Sequence, residues 1–128
     1  MTDRGDHRRQ LGGSGETLAA AHLEKNGYRI LARNYRTPIG EIDIIAQEGE
    51  TLVFVEVKTR GTHRFGHPKE AVTARKQRKL SMAALYYLKG TRNLHRKARF
   101  DVVSILPGPR EGWKIEVIKN AFDLAYPG

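Results

Sequence analysis

Between residues 28 and 59 apolar and polar positions alternate in three short runs bounded by turn-forming residues, the period-two signature of strands. The spacing predicts strand one over residues 28–36, strand two over 41–47 and strand three over 51–59, with turns at Thr37–Pro38 and Glu48–Glu50. On either side the period becomes helical. Glu16, Ala19, Ala20 and Leu23 fall on one stripe, so a first helix is expected from a cap at Ser14 to Asn26, ended by Gly27. Downstream, Pro68 suits the first turn of a helical region that reaches residue 89, with Thr73 as a breaking point and Gly90 as its stop. Leu80, Ala83, Ala84, Tyr87 and Leu88 form its buried stripe, and Lys76 extends that stripe one turn upstream. Two further strands are expected over residues 98–106 and 113–119.

A long helix between strands three and four implies a crossover and parallel pairing of those two. The chain therefore reads as one α/β domain over residues 13–119, a mixed five-stranded sheet with flanking helices in the order α-β-β-β-α-β-β. The basic segment 1–12 is expected to be disordered, and residues 120–128 form a tail without a clear pattern. No apolar run approaches the roughly 20 residues of a membrane span. The charged N-terminus lacks a secretory signal, and the absence of cysteine excludes disulfides and thiolate metal sites. These features fit a cytoplasmic protein.

Composition changes the picture through charge. Twenty-three Lys and Arg against 14 Asp and Glu give a formal net charge of +9. Such an excess favours polyanionic partners, nucleic acid above all. A membrane surface is not expected, because no helix pairs a basic face with bulky exposed apolar side chains.

The most telling stretch is GEIDIIAQEGETLVFVEVKTR at 40–60. If Gly49 and Glu50 make the turn, Asp43 lies across the ladder from Glu56, and Glu56 and Lys58 share a face that Val53, Val55 and Val57 do not. Two carboxylates about 5 Å apart at their bases repel by on the order of 3 kcal/mol at an effective dielectric of about 20. A bound cation, a shared proton or exposure to water would each tolerate this. Phe54 and Ile45 on the same face disfavour simple exposure. A hard divalent ion, Mg²⁺ or Mn²⁺, with a phosphate beside it fits best, and Glu16 is placed to add a third carboxylate.

The motifs GEID at 40–43 and VFVEVKTR at 53–60 resemble the PD-(D/E)xK signature of restriction-endonuclease-like nucleases. The likeness extends to the YraN-like family of small bacterial proteins. It is carried by Gly12 with Glu16, Gly27–Tyr28, Arg33–Asn34, GEIDII, FVEVKTR, Lys76 and RFDVV at 99–103. Ile42 stands where the signature's leading proline would be. Similarity to archaeal Holliday-junction resolvases of this superfamily implies catalytic roles for Glu16, Asp43, Glu56 and Lys58. Asp43 and Glu56, with the Val57 carbonyl and Glu16, would hold the metal.

Arg64, Lys69, Arg75, Lys76, Arg78 and Lys79 are the expected DNA-backbone contacts, concentrated in the loop and early second helix. About five phosphate contacts would give log K a slope near −4 to −5 against log salt. The leading expectation is a metal-dependent DNA endonuclease, selective for branched structure and a possible homodimer. The alternatives are a nucleic-acid-binding protein with little cleavage and an RNA- or ribosome-associated accessory protein.

Overall fold

The computed structural model describes residues 7–59, 72–108 and 112–123, with side chains from Gly15 onward. The elements are α1 (His7–Lys25), β1 (Arg29–Arg36), β2 (Glu41–Glu48), β3 (Thr51–Thr59), α2 (Ala74–Gly90), β4 (Ala98–Pro107) and β5 (Trp113–Phe122). The five strands form one sheet in chain order, antiparallel except where β3 and β4 run parallel across the α2 crossover. The expected class and order of elements are therefore observed. No described helix is long and apolar enough to cross a membrane.

The helices cover opposite faces of the sheet. Ala19, Ala20 and Leu23 of α1 pack on Ile44, Val53, Val55, Val103 and Ile105. Leu80, Ala83, Ala84 and Leu88 of α2 pack on Ile45, Phe54, Phe100 and Val102. Burial on both faces explains why β3 and β4 read as nearly unbroken apolar runs rather than alternating ones. Of the charged residues on these two strands, Glu56 and Asp101 are buried, while Lys58 and Arg99 are partly exposed.

Two boundaries differ from expectation, those of α1 and β5, while α2 breaks at Thr73 as its spacing predicts. Helix α1 begins at His7, so Ser14 lies inside it rather than capping it, and residues 7–12 are helical rather than disordered. The cap of α2 is Thr73, whose hydroxyl accepts from the Lys76 amide at 3.2 Å; residues 60–71, including Pro68, lie outside the described residues. Strand β5 continues to Phe122 because a register shift near Asn120, which has φ 52°, restores its inward alternation. Phe122 then stacks on Phe100 with ring centroids 4.6 Å apart.

Candidate carboxylate site

The β2–β3 ladder ends at Ile44↔Val55, and one further step places Asp43 opposite Glu56, as the hairpin spacing predicts. At this point β2 turns over. Ile42 packs on the α2 side and Ile44 on the α1 side, although residues two apart on a regular strand share a face. Across from Asp43 on β1, Asn34 adopts φ 52°, a left-handed conformation that asparagine tolerates better than most residues. The inversion delivers the Asp43 carboxylate to the end of the sheet, in the fields of residues from both helices.

Asp43 is half-buried and accepts a hydrogen bond from the Val57 amide, 2.9 Å to Oδ2. Burial, then the charge of Glu56, push its carboxyl up to about 7; Glu16 on α1 adds to the rise, while the Val57 amide and Lys76 oppose it. Glu56 is 6% exposed. Its Oε1 receives Lys76 Nζ of α2 at 2.6 Å and lies 3.6 Å from Lys58 Nζ. Burial draws the Lys58 ammonium below its ordinary range, and the neighbouring Lys76 adds to the fall against the pull of Glu56. For Lys76 burial is the largest influence and acts downward, but the bond to Glu56, the neighbouring Lys58 and the charges of Glu56 and Asp43 together outweigh it, and the group ends above its ordinary value.

The structure thus brings Asp43, Glu56, Lys58 and Lys76 together and places Glu16 within electrostatic reach. Among the described residues no three carboxylate or imidazole side chains converge as a metal cage, so Glu16 does not join Asp43 and Glu56 in a three-ligand set. The donor chemistry nonetheless suits a small hard cation, which typically needs only one or two carboxylates plus phosphate and water. Asp43 makes no ion pair with a described residue, and the ammonium of Lys76 already sits on Glu56.

Of the proposed backbone contacts, Arg64 and Lys69 lie outside the described residues. Arg75, Arg78 and Lys79 are exposed on α2, while Lys76 turns inward to Glu56. The first turn of α2 contains no acid. Cations there oppose the helix dipole, each by about 0.3–1 kcal/mol, an arrangement that favours an anionic ligand over the free protein's own stability. The expectation that no helix joins basic and exposed apolar groups fails here: Tyr86 on α2 is 48% exposed. That expectation considered the buried stripe of α2 and missed its outer side.

A second polar cluster lies on the α1 face. Asp101, fully buried, accepts from Tyr28 Oη at 2.8 Å, Arg99 Nε at 3.0 Å and the Asn120 amide at 3.0 Å. Arg99 also bonds Glu48, which Lys119 Nζ meets at 2.8 Å. Burial, then Asp101, raises the Tyr28 hydroxyl above its ordinary range. Sequence spacing signals the Arg99–Asp101 pair; the distant Tyr28, Glu48 and Lys119 carry no such signal.

The sequence profile of the uncharacterised protein family UPF0102 matches residues 15–105. A UPF0102 protein of Syntrophus aciditrophicus is 53% identical over 117 residues, covering 91% of each chain. One from Geobacter metallireducens is 52% identical over 120 residues, covering 94% of this chain and 98% of the relative. Among solved structures, the Holliday junction resolvase Hjc of Archaeoglobus fulgidus aligns with TM-score 0.44 and 21% identity, over 83% of this chain and 76% of its own. Pyrococcus furiosus SfsA, solved with Ca²⁺, aligns with TM-score 0.40 and 14% identity, over 94% and 65% respectively.

Proposed function

The chain belongs to the uncharacterised protein family UPF0102, and we propose that it is a metal-dependent endonuclease acting on DNA phosphodiester bonds, selective for branched or otherwise structured DNA. The observation that carries this reading is the meeting of Asp43 and Glu56 where β2 leaves the β3 ladder, with Lys58 and Lys76 beside them. The resemblance to the PD-(D/E)xK signature adds the residue roles.

In this reading Asp43, ionised, and Glu56, released from Lys76, hold one Mg²⁺ or Mn²⁺. The ion, when bound, lowers the pKa of a coordinated water and offsets charge growing on the phosphate. Lys58 orients the attacking water or donates a hydrogen bond to a non-bridging phosphate oxygen. Lys76, once off Glu56, is free to bond the scissile or an adjacent phosphate. Glu16 tunes Asp43 through its charge. Attack by water forms the new P–O bond as the strand's leaving oxygen departs and takes up a proton. Arg75, Arg78 and Lys79, with Arg64 and Lys69, hold the backbone. Action on chromosomal DNA fits a cytoplasmic location, and a homodimer would present two such sites to the two sides of a junction.

The test is cleavage of duplex, single-stranded, flap and four-way DNA by the purified chain with Mg²⁺ or Mn²⁺. Asp43→Asn, Glu56→Gln and Lys58→Ala are each expected to reduce the rate on the order of 10³-fold while leaving binding intact. Equal nicking by wild type and all three variants would end the proposal. The second reading, a binding protein with little intrinsic cleavage, is favoured by one observation: the 2.6 Å bond that ties Glu56 to Lys76. It predicts tight binding by every protein and cleavage by none.

A further inference from the structure

The outer side of α2 carries more than phosphate-binding charge. Arg75, Lys79, Met82, Tyr86 and Lys89 succeed one another in alternating steps of four and three residues, which places them on one stripe along the helix. Arg75, Lys79, Tyr86 and Lys89 are exposed, and Arg78 borders them. None of these cations pairs with a described acid, and α2 contains no Asp or Glu. Midway along the stripe lies an apolar groove of about 220 Å³ lined by Ile39, Met82, Leu85, Tyr86 and Lys89. A second hollow of about 420 Å³, lined by Tyr86, Lys89 and Gly90, borders the same tyrosine. The β1–β2 turn forms one wall, with Gly40 close enough that a Cβ there would lie 3.9 Å from the Lys79 carbonyl oxygen.

We infer that this groove receives an unpaired nucleobase, stacked on Tyr86, with the flanking phosphates of the same strand on Lys79 and Lys89. The inference rests on the reading of the protein as DNA-acting and narrows its substrate to DNA that exposes unpaired bases near the cut. Three features point to that occupant. An aromatic ring set between cations is the usual platform for a single strand, because every base offers a π face and every step a phosphate. The stripe reaches the first turn of α2 at Arg75, the residue before the Lys76 that turns inward to Glu56. Ten residues separate Lys76 from Tyr86, a rise of about 15 Å along the helix, which is within the span of a few nucleotides. A lipid surface fits less well. The broad apolar face of α2, formed by Leu80, Ala83, Ala84 and Leu88, is spent on the sheet, and what remains outside is narrow.

The test measures binding without metal, so that it stands apart from cleavage. In EDTA, the full chain is titrated against a single-stranded oligonucleotide carrying the fluorescent base 2-aminopurine and against a blunt duplex of equal length. Tyr86→Leu keeps an apolar side chain but cannot stack. It is expected to weaken single-strand binding on the order of ten-fold and abolish quenching of the base, with the duplex affected less than two-fold; Tyr86→Phe is expected to behave as wild type. Unchanged single-strand affinity in Tyr86→Leu, or equal losses on both DNAs, would overturn the inference. So would loss of binding to phosphatidylserine vesicles in Tyr86→Leu with single-strand binding intact, which would assign the groove to lipid. Loss of stacking in Tyr86→Leu alongside unaltered nicking by Asp43→Asn would leave the groove standing and remove the nuclease.

Discussion

Asp101 and Asp43 lie on neighbouring parts of one sheet, and their surroundings are opposites. Asp101 is sealed from solvent and receives Tyr28, two nitrogens of Arg99 and a backbone amide. Asp43 receives one amide and faces a second carboxylate. A buried polar group that is fully satisfied holds a structure together, whereas one left short of partners is where the proposed reading puts a ligand. The same side chain is thus a brace in one place and, in that reading, a socket in the other.

Breaking Asp101 gives the largest expected change in stability. Asp101→Ala leaves the Arg99 guanidinium with Glu48 as its remaining acid and takes the acceptor from the Tyr28 hydroxyl and the Asn120 amide, and a loss of about 3–5 kcal/mol is expected in urea unfolding. Asp43→Asn is expected to move stability the other way. The fold holds a proton on Asp43 more tightly than the unfolded chain does, so wild-type stability declines as pH rises from about 4 to about 7 and levels off above that. The decline attributable to this group is at most about 4 kcal/mol before screening by solvent. Asp43→Asn should lack this decline and be at least as stable as wild type at pH 8, while millimolar Mn²⁺ should raise the melting temperature of wild type alone. An Asp43→Asn protein that unfolds more readily at pH 8 would erase the contrast between the two acids. The smallest effect sharpens the satisfied side: Tyr28→Phe removes one donor of several, and about 1 kcal/mol is expected by the same measurement.

Most of this was legible in local pattern. Hairpin spacing alone put Asp43 across from Glu56, and the 3.6-residue stripe on α2 brought Lys76 to the same place, because both follow from short-range periodicity. The inversion of β2 was not legible. Alternation from Ile45 assigned Asp43 a regular place on the sheet, and only Asn34 in a left-handed conformation on the adjoining strand accommodates the turn-over. The full cage around Asp101 was equally hidden, since Tyr28 and Glu48 reach it from far along the chain. Strand β5 was read too short because the bulge near Asn120 breaks its period just where the count would have continued.

Gly15 sets a tolerance for all of this. A methyl group at that position would strike the Thr59 hydroxyl, so α1 and the far end of β3 meet along a seam one hydrogen atom deep. Glu16 is the next residue, and its distance from Asp43 is fixed by how tightly that seam closes. A contact between a helix and a strand that contains no charge at all thereby sets one lesser contribution to the acidity of the candidate metal ligand, behind burial and Glu56. Widening the seam by a single carbon would alter only the share that Glu16 adds.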